Sequence, residues 1–135
     1  EAISDIEMNK PKLIGVTILT SMNEESFSEQ GISLKVEEQV INLSTLAKEC
    51  GLDGVVCSPL EAKNVKFKCG QDFLTIVPGI RPNNSVADDQ KRVLTPKEAI
   101  RNGADILIVG RPITQADDPN QAARSIKESM IPYDY

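Results

Sequence analysis

Histidine is absent from this 135-residue chain, and its absence removes a large part of enzyme chemistry. Neither a Ser-His-Asp nor a Cys-His nucleophile system can be built without an imidazole, and a zinc site of the common Cys/His kind is not expected. Cysteine is scarce too. Cys50, Cys57 and Cys69 are odd in number and form no CxxC pair, so they read as free, reduced, partly buried thiols. Long apolar runs are missing: nothing approaches the ~20 residues of a membrane span. No signal peptide is visible, so the expected setting is cytoplasmic, with no membrane partner. Positive charge is not in excess either. Lys and Arg number 15 against 20 Asp and Glu, a net charge of -5, which argues against a general nucleic-acid binder. The chain also lacks an initial methionine. It opens at Glu1 with Ala2, Ile3 and Ile6 at helical spacing, as if inside or at the end of a helix, and is expected to be a piece of something longer.

What remains is an ordinary globular composition, 40% hydrophobic and 26% charged, at a length that suits one modest domain. Strand and helix signals alternate along it. Residues 13–19 are apolar and β-branched, end in Thr20-Ser21, and read as a strand; residues 23–33 are polar. A helix fits residues 35–50, with Val36, Val40, Leu43, Ala47 and Cys50 on one stripe and Gly51 at the C-cap. Residues 54–57 read as a second strand. Ser58-Pro59-Leu60-Glu61 combines an N-cap serine, proline at the first helical position and glutamate three residues after the cap. It predicts a helix to about residue 67, closed near Gly70. Residues 73–77 are the third strand, and a long polar loop follows. Thr95-Pro96-Lys97-Glu98 then repeats the capping logic, Gly103 stops that helix, and residues 105–109 form the fourth strand. Asp118-Pro119 opens a last helix to about residue 130.

Strands that read as near-continuous apolar runs are expected to be buried on both faces, as in parallel sheets covered by helices. Four strand–helix units leave two architectures open. One is a small doubly wound sheet of the flavodoxin type; the other is half of a (β/α)8 barrel, since a whole barrel needs ~250 residues.

In either case ligands lie at the C-terminal ends of the strands. Two short turns stand there: Gly79-Ile80-Arg81-Pro82 and Gly110-Arg111-Pro112-Ile113-Thr114. Glycine lets backbone approach a ligand closely, proline fixes the exit direction, and a guanidinium grips phosphate or carboxylate bidentately. Either arginine alone fits a surface salt bridge equally well. Two of them after successive strands point to one small anion between them, and in barrels phosphate often sits on the last two strand loops. Thr20 and Ser21 are either strand-end caps or ligand contacts. Gln90, in the long polar loop, carries both an amide donor and a carbonyl acceptor, which suits a lid closing over a nucleotide as well as it suits a solvated loop.

The stretches Val77-Pro78-Gly79-Ile80-Arg81-Pro82, Asp89-Gln90-Lys91-Arg92, Thr95-Pro96 and Val109-Gly110-Arg111-Pro112-Ile113-Thr114 resemble the orotidine 5'-monophosphate decarboxylases. Val16-Thr17-Ile18-Leu19-Thr20-Ser21-Met22 and residues 51–58 resemble their bacterial branch. The likeness runs in order along nearly the whole chain. It implies an α/β fold, a (β/α)8 TIM barrel of the ribulose-phosphate-binding type. Residues 1–135 would be the C-terminal half of that single domain, carrying strands 5 to 8. It implies conversion of orotidylate to UMP and CO2 in pyrimidine biosynthesis without any cofactor or metal, in a homodimer. Arg81 and Arg111 would then face the substrate phosphate, with the amide of Gly110 assisting. Gln90 would bridge phosphate and pyrimidine, and Thr20 would contact the base.

One departure matters. The family's chemistry belongs to a Lys/Asp array on earlier strands, built around Asp-x-Lys-x-x-Asp. Its carboxylate crowds the substrate carboxylate, and its lysine protonates the carbanion left when CO2 departs, a case of preorganised electrostatics. Here the Asp-x-Lys at Asp89-Gln90-Lys91 has Leu94 where the second aspartate belongs, and it lies on the loop. No catalytic residue is therefore expected in this chain, and the missing N-terminal half becomes an expected partner. A non-catalytic phosphate-binding module or pseudoenzyme is the competing reading.

Overall fold

The computed structural model of the chain describes residues 10–82 and 94–130. All four expected strands form, each shorter than its apolar run: β1 Ile14–Val16, β2 Gly54–Val56, β3 Leu74–Val77 and β4 Ile106–Leu107. They pair in parallel in the order β1-β2-β3-β4. That order decides between the two architectures. A doubly wound sheet reverses its order at a switch point, whereas a (β/α) barrel lays each strand beside the last. This chain follows the second rule.

The two faces of the sheet differ. Val55, Cys57 and Val77 are buried in one core with Val36 and Val40 of α2 (Glu24–Glu29 being α1 and Val36–Glu49 α2) and with Ala62 and Val65 of α3 (Ala62–Cys69). Alternate residues point the other way, and they stand in one row across the sheet: Val16, Val56, Ile76 and Ile106. Val16 is 64% exposed and Ile106 47%. The expectation of burial on both faces is thus corrected. Among the described residues helices cover one face, and the other presents an apolar row that is exposed at Val16 and Ile106, half-buried at Val56 and buried at Ile76.

Local chemistry explains most element ends. Thr95 caps α4 (Pro96–Arg101) as expected: its amide donates to Glu98 Oε2 at 3.0 Å and its Oγ1 accepts from the Glu98 amide at 3.4 Å. The Thr95 hydroxyl and amide together hold the Glu98 carboxyl below its usual range. Asp118 likewise caps α6 (Pro119–Met130), accepting from the Gln121 amide at 3.0 Å. Ser58 does not do the same for α3. The Glu61 amide donates to the Ser58 carbonyl at 3.2 Å and the Leu60 amide to Ser58 Oγ at 3.3 Å. These bonds close a tight turn, and the helix starts one turn later, running on to Cys69. The polar stretch after β1 hides α1, whose Asn23 accepts from the Ser26 amide at 3.1 Å and whose Phe27 is buried. In α2 the stripe is modified as well: Ser44 is buried with its hydroxyl donating to the Val40 carbonyl at 2.7 Å, and Cys50 is exposed. None of the three cysteines forms a disulfide, and burial pushes the Cys69 thiol up.

Two helix-to-strand junctions are built alike. Gly51 (φ 81°) and Gly103 (φ 92°) take the left-handed conformation. Their amides donate to Lys48 and Ile100, while the following amides of Leu52 and Ala104 reach back to Ala47 and Ala99. This is the Schellman ending, for which glycine is suited because it has no Cβ. Each junction then supplies an aspartate, Asp53 or Asp105, at the start of the next strand.

Candidate functional site

Parallel pairing brings the two arginine turns to the same rim. Val77 of β3 and Leu107 of β4 are register partners, and Arg81 and Arg111 each lie four residues beyond one of them. The Ile108 amide donates to the Val77 carbonyl at 2.9 Å, so the strands stay in step up to the turns. Thr20 and Ser58 follow β1 and β2 at this rim.

The first turn is held firmly. Gly79 has φ 76°, a conformation that side-chain-bearing residues rarely adopt, and Ile80 beyond it is fully buried. Ile80 bridges to Leu94, and the Arg81 amide donates to the Leu94 carbonyl at 3.1 Å. Arg81 is half-buried, and its Nη1 donates to the Ile80 carbonyl at 3.0 Å. It forms no ion pair among the described residues. A guanidinium fixed at one nitrogen by its own backbone keeps other N–H groups for a phosphate or carboxylate.

In the second turn Arg111, half-buried, is the first residue of the four-residue α5 (Arg111–Thr114), and Gly110 is its N-cap. A Cβ placed on Gly110 would meet no atom of the described residues, its chain neighbours aside, within 4 Å. Packing among the described residues therefore does not call for glycine here. What the missing side chain leaves is an accessible backbone, the condition for close approach of a ligand.

Thr20 is 7% exposed, buried in the turn that follows β1. Gln90 lies outside the described residues, as do Asp89 and Lys91. One pair at the rim escaped the sequence reading as a pair that faces inward: Ser58 is fully buried and Glu61 nearly so, and the Glu61 carboxylate accepts from both the Ser58 amide (3.1 Å) and its hydroxyl. The signal was the Ser-Pro-Leu-Glu spacing, which also fits a helix cap. A cavity of about 280 Å³ beside it is lined by Glu24, Glu37 and Glu61. Three carboxylates repel an anion, so that cavity is no alternative to the arginine turns. Among the described residues no group of three His, Cys, Asp or Glu side chains is placed to hold a metal ion, and no helix is long and apolar enough to cross a membrane.

The opposite rim is built from neutralised charge. Lys66 Nζ lies 2.5 Å from Asp105 Oδ2 and also donates to the Gln71 and Phe73 carbonyls. Asp105 Oδ2 accepts from the Thr75 amide at 2.8 Å and hydroxyl at 3.1 Å. Burial opposes ionisation of Asp105, but the bonds from Lys66 and Thr75 outweigh it and the carboxyl sits below its usual range. Asp53 repeats the arrangement: it accepts from the Leu13 amide at 2.8 Å and pairs with Lys12 at 2.9 Å. The Leu13 amide and then the Lys12 ammonium lower its pKa.

Comparison with known proteins adds to this geometry. Residues 1–126 match the family model described as Orotidine 5'-phosphate decarboxylase / HUMPS family. An orotidine 5'-phosphate decarboxylase of Wolbachia pipientis subsp. Culex pipiens is 53% identical over 130 residues, covering 96% of this chain and 57% of the relative. One from Trichlorobacter lovleyi is 50% identical over 125 residues, covering 93% and 52%. The chain thus spans about half the length of the curated relatives it matches. Among solved structures, orotidine 5'-phosphate decarboxylase from Lactobacillus acidophilus superposes with a TM-score of 0.74 at 43% identity, over 90% of this chain and 50% of that one. The Pyrococcus horikoshii OT3 enzyme, at 22% identity and a TM-score of 0.63, shares the fold, over 90% of this chain and 51% of that one. On residues 1–126, nearly its whole length, the chain belongs to the orotidine 5'-phosphate decarboxylase / HUMPS family.

Proposed function

We propose that this chain is the C-terminal, phosphate-gripping half of an orotidine 5'-phosphate decarboxylase barrel, supplying strands 5 to 8. In this reading Arg81 and Arg111 hold the 5'-phosphate of orotidylate between two neighbouring strand ends, and the bare backbone of Gly110 lets the phosphate come close. Thr20 contacts the base, and Gln90 bridges base and phosphate. The observation that carries the proposal is the matched placement of the two arginines beyond register partners. The relatives' printed activity and the share of their length that this chain covers support it.

The catalytic Lys/Asp array belongs, on this proposal, to a segment outside these residues. That segment would also cover the exposed apolar residues Val16, Ile106 and Ile108, because contiguous apolar surface left on a sheet calls for a partner. Residues in hand bind and orient; they do not move the electron pair or the proton. Binding energy gathered at the phosphate, remote from the reacting carbon, is then available to offset the crowding of the substrate carboxylate. The whole protein would work as a cytoplasmic homodimer without a cofactor.

Release of CO2 from orotidylate tests the proposal. The 135-residue chain alone should give none, and adding the N-terminal half of a bacterial relative should restore turnover. Activity in the chain alone would place the catalytic groups here and overturn the division of labour. UMP binding with no turnover, even in the reconstituted pair, would favour the non-catalytic module.

A further inference from the structure

Arg81 is aimed by its own backbone, and the way it is aimed gives work to its neighbours in the chain. The Ile80 carbonyl and the Arg81 amide belong to one planar peptide group and point to opposite sides of it. The amide donates to the Leu94 carbonyl at 3.1 Å, and the carbonyl accepts from Arg81 Nη1 at 3.0 Å. Whatever fixes that plane therefore fixes one corner of the guanidinium as well.

The residues on either side of Arg81 fix it. Ile80 is fully buried, in the same core cluster as Val77 and Ala99, so its side chain roots the peptide group in the interior. Its bridge to Leu94 brings the Leu94 carbonyl to the Arg81 amide. Pro82 acts from the other side, because a proline ring keeps the residue before it out of the helical region and in extended backbone. An arginine has more rotamer freedom to lose than most side chains, and a free one loses it when an anion binds. Here Nη1 is already held, so part of that ordering is done in folding.

We propose that Ile80 and Pro82 are positioning residues for phosphate recognition. They hold the Ile80–Arg81 peptide group against the Leu94 carbonyl and so orient the guanidinium before a phosphomonoester arrives. The inference rests on the reading of Arg81 as a phosphate contact. Neither flanking side chain touches the ligand; their contribution passes through Arg81 and should vanish when that guanidinium is removed.

The test is a double-mutant cycle in the full-length protein, with calorimetric titration of UMP and of uridine as the readout. Ile80→Ala should raise the UMP dissociation constant about three- to tenfold, as when one rotamer-rich side chain must be ordered on binding. Uridine affinity should stay the same. Ile80→Val keeps a β-branched side chain in the core and should recover most of the loss. In an Arg81→Ala background, Ile80→Ala should weaken UMP no further. Pro82→Gly frees the Arg81 backbone without opening the core and should give the same pattern, which decides the matter if Ile80→Ala does not fold. Equal losses for UMP and uridine would make these residues merely structural and overturn the proposal. So would losses that add to that of Arg81→Ala, or UMP affinity unchanged in the flanking variants; all three leave the phosphate reading standing. If Arg81→Ala itself spares UMP, the phosphate reading fails and the positioning role falls with it.

Discussion

The two rims of the sheet use cations in opposite ways. At the strand N-termini Lys66 and Lys12 are each matched with a carboxylate, and those carboxylates also accept backbone amides from the neighbouring strand. At the strand C-termini Arg81 is tied to a carbonyl of its own chain and forms no ion pair among the described residues. The first arrangement is closed, since each charge cancels another and the pair clamps strand to strand. The second leaves N–H groups of Arg81 for a ligand. In barrels generally the C-terminal rim carries the chemistry and the opposite one carries stability, and here the difference is visible in how the charges are spent.

If the comparison is sound, substitutions at the two rims should separate stability from binding. The largest effect belongs to Asp105→Asn, which leaves the buried Lys66 ammonium without its counter-charge. Urea unfolding of the full-length protein should show a loss of about 2–3 kcal/mol, the Asp105 side of the pair being one-third exposed, with UMP affinity unchanged in the folded fraction. A weakened ligand affinity at constant stability would break the division between the rims.

Arg81→Ala should do the reverse. Loss of a charge-assisted contact of about 1.5–3 kcal/mol should raise the UMP dissociation constant roughly tenfold to a hundredfold, with little change in the unfolding midpoint. Thr95→Ala, at a helix cap one residue beyond the Leu94 that holds the Arg81 amide, serves as a control. Removing this cap should cost about 1 kcal/mol of stability and leave UMP affinity within twofold. Gly110→Ala should have the smallest effect on stability, within about 0.5 kcal/mol, because the added methyl meets no atom of the described residues beyond its chain neighbours. Calorimetry should nevertheless find weaker UMP binding, and unchanged binding would remove the reason offered for glycine there.

Acid sharpens the same contrast. Folding lowers the Asp105 pKa, so its contribution to stability is complete above the unfolded carboxylate value. It is lost as pH falls through the lower, folded value. Below about pH 4 wild type should therefore lose stability faster than Asp105→Asn does. Parallel stability curves for the two proteins would contradict the pairing.

Short-range signals in the sequence were the most faithful. Thr95-Pro96-Lys97-Glu98 states its own cap, because donor and acceptor are three residues apart. The same logic at Ser58-Pro59-Leu60-Glu61 names the right contacts but not the helix start, since those bonds close a turn first. The six-residue α1 is too short to show a period. The Gly51-x-Asp53 and Gly103-x-Asp105 repeat was in plain view, yet its meaning depends on Lys12, Lys66 and Thr75, which only pairing of strands brings near. At the other rim, the arginines were legible as residues after strands. Their common register was not, because the order of strands decides it.

The most direct test compares UMP with uridine in the full-length protein, before and after Arg111→Ala. If the second turn grips the phosphate, UMP affinity should fall roughly tenfold to a hundredfold while the weaker uridine affinity stays the same. Equal losses for both ligands, or no loss for UMP, would mean that Arg111 serves the fold or the base and not the phosphate.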